Sequence, residues 1–200
     1  MLSLFTTVLT VKLFSQSERE AHIATAVPSL SIAPDARAGG MGDAGVASFS
    51  DNYSQYWNPA KYAFSSRQHG AGISYTPWLR KVVNDMYMLH ASGFYKLGND
   101  DNQALSASLR YFTLGDVDVA DLHGNFMEQA SSYEMAFDLA YSRKLSNTFS
   151  LAVALRYIRA DYNNFEDGKA GNAFAADIAG YNESYINLFN AESMLSLGFN

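Results

Sequence analysis

From Gly70 onward, uncharged side chains recur at every second position in one segment after another. Tyr87, Leu89, Ala91, Gly93 and Tyr95 form one series, and Leu105, Ala107, Leu109 and Tyr111 the next. Tyr133, Met135, Phe137, Leu139 and Tyr141 follow, then Phe149, Leu151, Val153, Leu155 and Tyr157, then Phe174, Ala176, Ile178 and Gly180. A period of two belongs to β-strands with distinct faces. The positions between are mostly alanine and serine with a sparse set of charges, among them Arg110, Glu134, Asp138, Arg156 and Asp177.

Two architectures use such alternation. In a soluble sandwich the apolar face packs a core and the other face meets water, where many lysines, glutamates and threonines are expected. In a transmembrane barrel the apolar face meets lipid and the second face lines a polar interior. A lysine or arginine on the lipid side at mid-depth costs roughly 2–4 kcal/mol, so a charge-free face is demanded there. The aromatic spacing sharpens the choice. Tyr87/Tyr95, Tyr133/Tyr141 and Phe149/Tyr157 each bracket an apolar face eight residues apart. Eight steps of about 3.3 Å, tilted near 45°, span roughly 20 Å. That approaches the ~25 Å band between the aromatic girdles of outer-membrane barrels. The expected fold is all-β: an antiparallel transmembrane β-barrel.

Composition agrees. Only 17% of residues are charged, against about 25% in an ordinary soluble domain. A net charge of −6 excludes the usual nucleic-acid binder, so no nucleic-acid partner is expected. The absence of cysteine removes disulfides, thiolate metal sites and cysteine nucleophiles, and no cofactor or metal is expected. The apolar run from Leu2 to Val11, followed by Ser15-Gln16-Ser17, reads as a secretory leader over residues 1–17.

Connections are expected to alternate in length. Residues 98–102 and 144–148 read as short periplasmic turns, and 115–130 and 161–172 as longer extracellular loops. Pairing about the 144–148 turn sets Asp138 opposite Arg156 on the interior face, where an ion pair is expected as a structural clasp. About six strands are complete, and a seventh begins near Met194. So few strands cannot close, since single-chain barrels start at about eight, and the chain reads as the front half of a longer barrel or one needing partner strands.

Gly40-Met41-Gly42-Asp43-Ala44-Gly45 matches the dinucleotide fingerprint letter for letter. That motif needs a buried strand before it and a helix after it, and neither pattern is present. The glycines instead serve tight bends or close backbone approach.

The stretch Ala33 to Ala47, together with Trp57-Asn58-Pro59-Ala60-Lys61-Tyr62-Ala63-Phe64, resembles the N-terminal hatch of FadL-like outer-membrane barrels. More closely, Ser74-Tyr75-Thr76-Pro77-Trp78-Leu79-Arg80, Leu109-Arg110-Tyr111-Phe112, Ala140-Tyr141-Ser142-Arg143-Lys144-Leu145 and Leu155-Arg156-Tyr157-Ile158-Arg159 resemble the PorV (LptO) family of the type IX secretion system. Ala176-Asp177-Ile178-Ala179-Gly180 fits the same pattern. The resemblance implies a hatch over residues 18–69 and the first half of an outer-membrane barrel over 70–200. It implies a shuttle that takes the C-terminal domains of secreted cargo from the Sov/SprA translocon to the PorU attachment complex, with outer-membrane lipid around it. Asn58 and Pro59 of the hatch, with Asp138 and Arg156, are the structural candidates. A FadL-type channel for hydrophobic small molecules is the alternative. A deacylase is disfavoured: an acyl hydrolase needs a nucleophile with a base within hydrogen-bond reach, and the four histidines are scattered. No enzyme activity is expected.

Overall fold

The computed structural model describes residues 26–78, 85–98, 102–120, 126–162, 170–188 and 191–200. The expected leader lies outside them. Seven antiparallel strands form one sheet in strictly sequential order: β1 (His69–Pro77), β2 (Tyr87–Leu97), β3 (Gln103–Ala120), β4 (Phe126–Lys144), β5 (Phe149–Asp161), β6 (Gly171–Leu188) and β7 (Ala191–Phe199). The sheet curls into a half-barrel.

The register carries the period-two pattern across the sheet. Ile73 pairs with Ala91, Ala91 with Leu109, Leu109 with Phe137, Phe137 with Tyr157 and Tyr157 with Phe174. All of these stand on the convex face, where Leu155, Ile178 and Phe174 are exposed. Near one end of the strands, rings on this face run side by side: Tyr75 to Tyr87 at 5.4 Å, Tyr87 to Tyr111 at 6.3 Å, Tyr111 to Tyr133 at 5.7 Å, and Tyr157 to Phe174 at 5.1 Å. Arg159 Nε donates to the Tyr133 hydroxyl at 3.1 Å in the same row.

The concave face is covered by the chain that precedes β1. Short turns of helix at Pro28–Ser31, Ala36–Gly40, Ser54–Trp57 and Pro59–Phe64 lie across it. Small residues on the wall make room for them: Ala104, Ala136, Ala140, Ala152, Ala154 and Ala179 are all buried. This explains an interior series poor in both bulk and charge.

One expected loop is corrected. Residues 115–130 are mostly strand, because β3 continues to Ala120 and β4 starts at Phe126. Gly115 takes a φ of +80°. The ladder shifts register between Thr113 and Asp116 and then resumes, with Val117 opposite Ala130 and Val119 opposite Glu128. The glycine therefore marks a bulge rather than a turn. The 144–148 turn is short as expected, with Leu145 N–H donating to the Phe149 carbonyl at 2.9 Å. Most of the expected 161–172 loop lies outside the described residues.

Candidate functional site: the interface between the N-terminal segment and the concave face

Asn58-Pro59-Ala60 starts a helical turn in the way its residue types favour. Asn58 is the N-cap, its side-chain oxygen accepting from the Ala60 N–H at 3.0 Å, and Pro59 takes the first helical position, where it gives up no needed hydrogen bond. The Asn58 amide nitrogen then donates to the Gly180 carbonyl on β6 at 2.9 Å and to the Val46 carbonyl at 3.2 Å. One side chain thus caps a turn and ties two distant strips of backbone together. Ala60 fits against Ala152, Ala179 and Tyr181, and its carbonyl accepts from Ser150 Oγ at 2.8 Å. A larger residue at 60 would lift the turn off the wall.

Two neighbours in the same motif, not among the structural candidates, complete the seat. The Tyr62 ring stacks on Phe94 at 4.4 Å, while its hydroxyl donates to the Asn52 carbonyl at 3.1 Å and accepts from the Gln55 N–H at 2.9 Å. Burial pushes its phenol up from its ordinary value. Lys61 is completely buried, its Nζ donating to the Gly45 carbonyl at 2.7 Å and to Ser48 Oγ at 3.2 Å. Burial lowers its pKa to about 8, and the negative charges of Asp51 and Asp35 offset part of that shift. Gly45 has a further constraint, because a Cβ there would lie 2.2 Å from the Trp57 ring. Trp57 in turn donates its indole N–H to Asp35 at 2.9 Å. Gly45 is therefore a packing surface for an indole, and among the described residues the stretch is preceded by the short helix Ala36–Gly40 rather than by a strand.

The inner wall carries a charged ladder. Asp138 and Arg156 are directly opposite in the β4–β5 register and form an ion pair through Arg156 Nε. Ser108 Oγ donates to the other Asp138 oxygen at 3.2 Å, and Arg156 also reaches Asp177 on β6 at 3.6 Å. Nearer the aromatic row, Arg110 packs under the Tyr56 ring at 4.5 Å. The structure thus brings Asn58 and Pro59 together in one turn and Asp138 and Arg156 together in one pair. Asn58 bonds toward Gly180, and the pair stands on β4 and β5.

The geometry is one of docking: buried hydrogen bonds, small-to-large packing and paired charges between a wall and the segment seated on it. A search of the curated proteins found no match. A family model described as type IX secretion system protein PorV matches residues 14–197, nearly the whole chain. The match spans both the seated segment and all but the end of the sheet it rests on, and the chain belongs to the PorV family of type IX secretion system proteins.

Proposed function

We propose that this protein is a non-catalytic cargo carrier of the type IX secretion system, seated in the bacterial outer membrane. In this reading residues 1–17 are a leader, 18–69 a hatch and 70–200 the first part of a barrel. The barrel is completed by further strands, because unpaired backbone groups at the β1 and β7 edges would each cost several kcal/mol in lipid. The carrier receives the C-terminal domains of secreted proteins from the Sov/SprA translocon and passes them to the PorU attachment complex.

The carrying observation is the family match over residues 14–197. The charge-free middle band of the convex face, bordered by its aromatic row, supports a bilayer setting. The turn at Pro59–Phe64 fills the inner face, as the hatch of a FadL-type channel would, and it is the family match that favours the carrier over a channel for hydrophobic molecules. The test is affinity purification of the native full-length protein, cross-linked in cells of a bacterium that secretes through this system. Translocon, attachment proteins and cargo are expected together. Recovery of none of them from cells actively secreting cargo would refute the carrier reading.

A further inference from the structure

The segment 26–31 meets the wall differently from the turn at Pro59–Phe64. Ser29 is its one buried residue, while Ala26, Pro28 and Ser31 are exposed. Its hold is through main chain. The Ser29 N–H donates to Glu134 Oε2 at 2.9 Å, and Arg110 Nη1 donates to the Ser29 carbonyl at 2.6 Å. The Tyr162 hydroxyl donates to the Ala26 carbonyl at 2.6 Å and lies 2.6 Å from Glu134 Oε1.

The wall residues that do this are nearly dry: Glu134 is 1% exposed and Arg110 3%. Removing each charge from water costs several kcal/mol, which a surface contact would not require. Here a carboxylate accepts from the N–H and a guanidinium donates to the carbonyl of one residue, Ser29, so that both of its main-chain polar groups meet a charge of the matching sign. None of these three contacts to residues 26–31 involves a side chain of that segment. A segment whose polar hold on the wall is through main chain, with half of its side chains exposed and one buried, opens at lower cost than a fully packed one. Glu134 stands level with Ala160 near the end of β5 and Arg110 two positions deeper, while β3 and β4 continue beyond them, with Tyr162 just past the end of β5.

We propose that Arg110 and Glu134 form a receptor for one turn of polypeptide main chain, with Ser29 as its resident occupant. A turn from a second polypeptide entering at this end of the lumen displaces it. That the second polypeptide is secreted cargo rests on the proposed function, whereas the receptor does not. Reading main chain suits partners that differ in sequence. The tethered segment competes at an effective concentration on the order of millimolar, so a displacing partner must add contacts elsewhere.

The test uses the native full-length chain in lipid nanodiscs with residues 26–31 deleted. The probe is a fluorescent ten-residue peptide copying residues 26–35, followed by anisotropy. Saturable binding is expected. Methylating the peptide nitrogen that corresponds to Ser29 should weaken it at least tenfold, and alanine at the same position should change it less than twofold. Glu134→Ala in the receptor should abolish it. Equal binding of the methylated and parent peptides, or no saturable binding, overturns the receptor.

The intact chain with a spin label on Ala26→Cys supplies a second measurement should the deletion fail to fold. Glu134→Ala should mobilise that label, and an unchanged spectrum overturns the receptor. If the copied peptide binds with its methylation penalty but type IX cargo does not displace it, the receptor stands and cargo falls as its partner.

Discussion

Leu155 and Arg156 are adjacent in the chain and face different surroundings. Leu155 stands on the convex face, 60% exposed, in a band without charge. Arg156 stands on the concave face between Asp138 and Asp177. The same strands thus carry two chemistries, and each excludes what the other requires. On the convex face the rule concerns polarity alone, so many apolar residues would serve. On the concave face it concerns fit, because Ala60, Tyr62 and Asn58 each meet a particular partner. An outer position therefore tolerates changes of shape and rejects charge, while an inner position rejects changes of shape as well.

The largest way to break this contrast is Tyr62→Ala, which removes a buried ring and leaves a cavity against Phe94. A loss of about 4 kcal/mol is expected from urea unfolding of the native full-length protein in lipid. Next comes Val153→Arg at the middle of the convex band, with an expected loss of about 3 kcal/mol by the same measurement. Val153→Leu should cost under about 1 kcal/mol, since a convex position reads polarity rather than shape.

The charged ladder gives smaller, graded effects. Asp138→Ala removes the ion-pair partner of Arg156 and the acceptor of Ser108. A loss of about 2 kcal/mol is expected on unfolding. Asp177→Ala should cost less than about 0.5 kcal/mol, because that contact is longer and more exposed.

A further effect is a pH dependence from Lys61. Its folded pKa of about 8 lies below its ordinary value of 10.5. The unfolded chain thus holds the proton more tightly, and stability rises as pH increases from below 8 toward 10.5. Between pH 7 and 9 the gain is about 1 kcal/mol, and Lys61→Met should flatten that part of the profile.

The convex face and the Asp138–Arg156 register were legible in the sequence because both follow from local rules, the period of two and a short turn. The seat of the segment before β1 was less so. Asn58-Pro59-Ala60 was visible as a motif, but its bond to Gly180 crosses 122 residues and its contact with Ser150 crosses 90. Lys61, Tyr62, Arg110 and Glu134 left no periodic signal as a set, because two stand in an aperiodic segment and two on separate strands. Charge scarcity on the inner wall was the available clue: where few charges are placed, each one has a specific partner. The loop expected at 115–130 was misread because a glycine among acidic residues signals a turn and a bulge alike, and Val117 and Val119 carried the strand onward.

The most direct test of the central claim, that these strands carry one lipid-compatible face and one face packed against the N-terminal segment, is a nitroxide scan over residues 149–157. Each position is changed singly to cysteine and labelled in the native full-length protein in lipid bilayers. The expected result is a period of two: labels at 151, 153 and 155 are mobile and accessible to oxygen dissolved in the bilayer. Labels at 152 and 154 should be immobile and shielded from both oxygen and aqueous nickel chelate. High nickel accessibility at 151, 153 and 155, or no alternation along the strand, would contradict the account.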